Sequence, residues 1–160
     1  MRIEPQKLIN EIDYYLQRLF PITRSITGKG NRDTLCILQE LVPIEIKEYP
    51  SGSSVYDWTI PDEWNIQDAW IKDSNGKKII DFKESNIHVV SYSEKKNHKL
   101  TFSELKDHLH KHQTLPDAIP YRTSYYKKDW GFSVTEKQYS ELENANGLLE
   151  VKIDSSFNSN

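Results

Sequence analysis

At 160 residues the chain is long enough for one ordinary domain, or for a small domain with part of a second. Its 24 acidic and 21 basic residues are interspersed and leave a formal net charge of -3, which excludes a basic footprint for nucleic acid or an anionic membrane surface. Hydrophobic residues make up 36% and aromatic residues 11%, with a mean hydropathy of -0.73, so the core is expected to use a few large side chains.

The first residues contain no apolar run followed by a small-residue cleavage site, and no stretch is apolar enough to cross a bilayer, so the chain is expected to be cytoplasmic. Leu8, Ile12, Tyr15 or Leu16, and Leu19 recur every three or four residues, which predicts a helix over 5–20 that Pro21 ends. A polar, glycine-containing loop follows. A second helix then carries Leu35, Leu38, Leu41 and Val42 on one face, with Asn31 as N-cap and Pro43 as stop, and the two helices read as an antiparallel hairpin. The single cysteine, Cys36, rules out an internal disulfide and a multi-thiolate zinc site. Between Leu35 and Ile37 it reads as a buried structural thiol.

A short strand is expected over 44–49, closed by the turn residues Pro50, Ser51 and Gly52. Next comes the segment that organises the chain. It holds Trp58, Trp64 and Trp70, three of the four tryptophans. β-branched and aromatic residues dominate 55–60, and after Pro61 large apolar groups return at Trp64, Ile66 and Trp70, the period of a half-buried strand. Asn75-Gly76 predicts a tight hairpin pairing 63–72 with 77–82, and 87–92 reads as a further strand.

Thr101-Phe102-Ser103-Glu104 fits a capping box and opens a predicted helix of about three turns to Gln113. Residues 115–132 are rich in aromatics and have neither period, which reads as an ordered crossing segment. A second capping box, Thr135 to Gln138, opens a helix through Leu142; Asn146-Gly147 turns the chain into a last strand, 148–154. That strand has no later partner, so it either pairs with an earlier one or belongs to a truncated unit. The fold class is α+β, a small antiparallel β module between helical segments.

Three constellations could carry chemistry. His108 and His112 would share a helix face at i and i+4, with His110 pointing elsewhere, but the general-base glutamate of a zinc-peptidase helix is absent, so no metal is expected on this chain. Thr27-Gly28-Lys29-Gly30 has the wrong spacing and the wrong preceding element for a phosphate loop. Arg24 and Ser25 could still hold an anion near the start of the second helix. Tyr125, Tyr126 and Trp130 could stack on a sugar or a peptide, or they could staple the crossing segment to the fold.

The run Leu19-Phe20-Pro21-Ile22-Thr23-Arg24-Ser25-Ile26-Thr27-Gly28, with Asp57-Trp58-Thr59-Ile60-Pro61, Ile87-His88-Val89-Val90-Ser91-Tyr92, Thr123-Ser124-Tyr125-Tyr126 and Trp130-Gly131-Phe132, resembles the bacterial aminopeptidase-like proteins related to the M28 zinc peptidases. The resemblance implies a β domain nested in the N-terminal part of an α/β peptidase domain, with 1–43 as that domain's N-terminal helices, 44–112 as the nested β domain with its closing helix and 113–160 as the return segment and first strand of a truncated peptidase-like domain, and an association with polysaccharide biosynthesis. It also implies zinc in the full-length family, a peptide or aminoacyl substrate and a homo-oligomer. The family's metal ligands and general base fall on no residue of this chain, which is then inactive alone. Thr23 and Ser133 stand where relatives often carry cysteine. The alternative is a stand-alone β module for carbohydrate or protein contact.

Overall fold

The computed structural model describes residues 4–125 and 127–160. Two compact units emerge, one running up to Glu63 and including Ser159–Asn160, the other Trp64–Asn158. None of the helices among the described residues is long and apolar enough to cross a membrane.

In the first unit α1 spans Pro5–Leu19, with proline at the first helical position, where its missing N–H costs nothing. Helix α2 spans Lys29–Leu38 and is capped by Gly28, not by Asn31 as the sequence pattern suggests. Gly28 has φ 115, open to a residue without Cβ, while the Asn31 side chain points back and donates to the carbonyls of Ser25 and Ile26 at 2.8 and 2.9 Å. Gly30 answers a steric demand as well: a Cβ there would lie 2.0 Å from the Thr23 carbonyl oxygen. Gly28 thus serves the positive φ at the helix start and Gly30 a close backbone crossing.

Cys36 is exposed, contrary to the buried thiol expected, because α2 as a whole buries no residue. The strand expected over 44–49 does not form; that stretch is irregular, held by Gln39 donating to the Ile44 carbonyl at 3.0 Å and by Arg32 bonding Glu48. The short strands β1 (Ser54–Val55) and β2 (Trp58–Thr59) pair antiparallel around Tyr56, whose φ is 56. Ile60 follows and is buried.

The second unit carries the larger core. Strand β3 (Glu63–Lys72) pairs antiparallel with β4 (Lys78–Asp81), as expected, with Trp70 opposite Asp81, Ile71 opposite Ile80 and a register shift between Ile71 and Lys72. The hairpin turn is as the sequence predicts, with Gly76 at φ 82 and the Asp73 carboxylate accepting the N–H groups of Asn75 and Lys77, both at 2.9 Å. The strand expected over 87–92 is instead a single 3-10 turn, Asn86–His88, followed by isolated bridges from Val89 to Phe132 and from Ser91 to Thr123. Tyr92 at φ 68 ends any extended run there. Strand β5 (Lys96–Leu100) falls where the sequence pattern predicts no element: three of its five residues are exposed, and its lysines suit an edge strand.

Helix α3 (Phe102–Leu105) opens with the predicted capping box, both reciprocal bonds present, but stops after one turn. A 3-10 turn, Lys106–His108, leads into β6 (Leu109–His110), which pairs in parallel with β7 (Phe132–Ser133). The three-turn helix to Gln113 is therefore absent, because pairing with β7 satisfies the backbone of 109–110 in place of helical bonds. The second capping box opens α4 (Glu136–Glu143), and β8 (Leu149–Asn158) closes the unit.

Strand β8 has an earlier partner on each side. The main sheet runs β4-β3-β8-β5, with Lys96 opposite Ile153 and Leu100 opposite Leu149. The core is Trp64, Ile71, Phe132, Leu142, Val151 and Ile153, with Leu105 of α3 added. The architecture is α+β, as composition and pattern indicate. Phe132 is fully buried, so Phe132→Ala is expected to cost about 3–5 kcal/mol, read as a lower urea midpoint for the second unit.

Candidate functional site

In the first unit a cleft of about 290 Å³ opens beside the start of α2, and its polar lining comes from four stretches of chain, around Arg32, around Glu48, at Glu63 and at Asn160. Arg32, one turn into α2, donates from Nη1 to Glu63 Oε2 at 3.0 Å and from Nη2 to the other oxygen, while its Nε meets Glu48. These carboxylates, Glu63 first, hold the guanidinium further into its charged range. Ile26, Leu35, Ile46 and Ile60 give the cleft an apolar floor, with Trp58 and Tyr49 at its edge. Two carboxylates against one guanidinium and Lys47 leave its charge balanced. Such a site can accept a small, partly apolar ligand, but it presents no nucleophile with a base in reach.

Arg24 and Ser25 lie outside that lining. Arg24 Nη1 donates to the Leu19 carbonyl at 2.7 Å, so its charge completes the C-terminal end of α1. Ser25 Oγ donates to the Thr27 carbonyl at 2.7 Å. Pattern reading missed Arg32 and Glu63, which stand 31 positions apart with no local signal linking them.

In the second unit the histidines do not form one helical face. His108 ends a 3-10 turn, its Nδ1 donating to the Trp130 carbonyl at 2.9 Å while its ring stacks on Trp130 with centroids 3.8 Å apart. His110 lies in β6, half-buried, and His112 Nδ1 accepts the N–H groups of Thr114 and Leu115. No group of three or more His, Cys, Asp or Glu side chains among the described residues could hold a metal ion. The buried His88 is spoken for: Nδ1 donates to the Ser133 carbonyl at 2.7 Å, and Gln138 Nε2 lies 3.4 Å from its Nε2. That places a serine main chain, not its hydroxyl, against the imidazole.

Tyr125 packs edge-on to Tyr92 with centroids 5.1 Å apart, and Trp130 is stacked by His108 and approached by Lys96. Both rings are partly buried and pack against the core of the second unit. Tyr126, the third stacking candidate, lies outside the described residues.

The second unit is an α+β module built on a mixed-order antiparallel sheet, with an irregular aromatic segment tied to it. The chain belongs to the family described as Domain of unknown function (DUF2172), whose model matches residues 63–156, almost the span of that unit. The chain is also 51% identical over 147 residues to a Clostridium acetobutylicum protein named for polysaccharide biosynthesis and an aminopeptidase-like domain. That match takes in 92% of this chain and 33% of the relative. A crystal structure of a candidate peptidase from Clostridium acetobutylicum superposes with a TM-score of 0.88 at 48% identity, covering 96% of this chain and 36% of that one. The chain therefore spans about a third of the length of the relatives it matches.

Replacing Arg32 with leucine strips the bidentate partner from the nearly buried Glu63 side chain, itself 10% exposed. The first unit is expected to lose about 1–2 kcal/mol, less than for a fully buried pair because Arg32 is partly solvated, measured as faster amide exchange across α2 on Arg32→Leu. A second outcome concerns acid. Burial pushes the His110 imidazole below its ordinary value of 6.5; Arg122 and His108 add to the shift and Asp129 opposes it. The unfolded chain then takes up a proton that the folded one resists, so stability present above 6.5 declines as pH falls below it. His110→Gln is expected to flatten that decline in thermal unfolding between about pH 6.5 and 5.

Proposed function

We propose that the chain is the N-terminal part of a zinc aminopeptidase homologue related to the M28 peptidases, acting in the cytoplasm on a peptide or aminoacyl substrate. In this reading the DUF2172 unit is an accessory β module, and the chain does not hydrolyse peptides on its own. One observation carries the proposal: nearly the whole chain matches, at 48–51% identity, proteins about three times as long that are named for peptidase-type domains. The motif blocks Asp57-Trp58-Thr59-Ile60-Pro61 and Trp130-Gly131-Phe132 support the same kinship.

Zinc does not fit the residues described. His108, His110 and His112 point into different surroundings and spend Nδ1 of two of them on the backbone. A two-zinc centre would have to draw its ligands from the two thirds of the longer relatives that this chain does not match, and no hydrolytic step is assigned to residues here. The alternative of a carbohydrate-stacking face has less support, since His108 already stacks on the ring of Trp130.

The test is hydrolysis of aminoacyl anilides with and without added zinc. The 160-residue chain is expected to show no turnover above buffer, while a protein of the relatives' full length carrying these residues binds zinc and turns substrate over. Turnover by the chain alone would refute the claim of inactivity. A full-length protein that neither retains zinc nor cleaves would refute the peptidase reading.

A further inference from the structure

The sequence holds Asn-Gly twice, at 75–76 and at 146–147, and both fall in exposed turns of the second unit with the glycine at φ 82. An asparagine followed by glycine is open to an intramolecular reaction, because no Cβ shields the glycine nitrogen from the asparagine side chain. The two turns present that nitrogen differently. Gly76 N–H donates to the Asp73 carbonyl at 3.0 Å, and the Asp73 carboxylate accepts the N–H groups of Asn75 and Lys77, both at 2.9 Å. Asp73 N–H donates in turn to the Lys77 carbonyl at 3.0 Å. The nitrogen at 76 is therefore committed to a bond that must break before it can turn towards the Asn75 amide.

At 147 the hydrogen bond falls on the other end of the peptide group. Gly147 N–H has no partner among the described residues, while Ser74 Oγ donates to the Asn146 carbonyl at 2.8 Å. A Cβ at 147 would lie 3.3 Å from the Ser74 Cβ, so the two turn tips lie side by side. The Asn146 carbonyl is conjugated with the Gly147 nitrogen, and charge left on that nitrogen by loss of its proton spreads onto the oxygen that Ser74 holds. A hydrogen bond to that oxygen strengthens as the charge develops, which stabilises the deprotonated nitrogen. We propose that Asn146 is a site of spontaneous deamidation activated by Ser74, and that Asn75, in the same dipeptide, is protected. The Gly147 nitrogen, its proton lost to hydroxide, bonds to Cγ of Asn146; the bond from Cγ to Nδ2 breaks, and ammonia leaves with a proton taken from water. Water then adds to either carbonyl of the succinimide and opens it to aspartate or isoaspartate. Isoaspartate lengthens the main chain by a carbon just ahead of β8.

The test incubates the purified chain at mildly alkaline pH, in buffer and in denaturant, and follows both dipeptides by peptide mapping with mass spectrometry. In denaturant the two asparagines are expected to convert at similar rates. In the folded chain Asn146 is expected to convert at least about tenfold faster than Asn75, the order of one hydrogen bond. Ser74→Ala, a substitution in an exposed turn, is expected to slow Asn146 by at least about threefold in the folded chain and to leave its rate in denaturant unchanged. Asp73→Ala is expected to raise conversion at Asn75 towards its rate in denaturant. Equal rates in the folded chain, or faster conversion at Asn75, would overturn the proposal. So would an Asn146 rate indifferent to Ser74→Ala, or an Asn75 rate that stays low without the Asp73 carboxylate.

Discussion

The second unit depends on one strand being held on both edges. Strand β8 lies between β3 and β5, so its N–H and C=O groups are satisfied only when two segments from the first half of the unit, some fifty or more residues earlier, reach it. Alternate side chains, Leu149, Val151 and Ile153, enter the core on one face. Local contacts alone cannot complete this sheet, because its central strand is the last to arrive in sequence. Helices α3 and α4 then close the core with Leu105 and Leu142, one buried leucine each.

Around that sheet the irregular segments are ordered by backbone bonds. The Ser93 carbonyl accepts from Trp64 Nε1 at 2.9 Å and from Ser155 Oγ at 2.8 Å, and so joins β3 and β8 to the stretch after the 3-10 turn. Ser93 Oγ donates to the Val90 carbonyl and accepts the Gly131 N–H at 3.2 Å. Ser91 pairs with Arg122 and Ser124 through main-chain bonds of 2.9 Å. The aromatic segment needs no strand or helix period of its own, since its polar backbone is satisfied by another irregular segment. Gly131 belongs to the same close fit, for a Cβ there would lie 2.7 Å from the His108 carbonyl oxygen.

The first unit has a different economy. Ile60 is its one buried hydrophobic among the described residues, and order comes from ion pairs and from a tight glycine crossing. Arg32 joins α2 to two carboxylates, and Gly30 lets the preceding loop cross the helix start at Thr23. In a unit so poor in buried apolar area, the apolar face of α1 stays in water.

Features set by near neighbours were legible in the sequence: the span of α1, both capping boxes, the Asn75-Gly76 hairpin and the pairing of β3 with β4. Each depends on residues close together in sequence, which can meet once the local backbone turns, without help from distant chain. The short α3, the edge strand β5, the bridges replacing a strand at 87–92, the exposure of Cys36 and the Arg32–Glu63 pair were not. In each of these a partner tens of residues away supplies the hydrogen bond, or a face that was expected to find cover stays open. Sequence periodicity registers that an apolar face exists; only the assembled chain decides what lies against it.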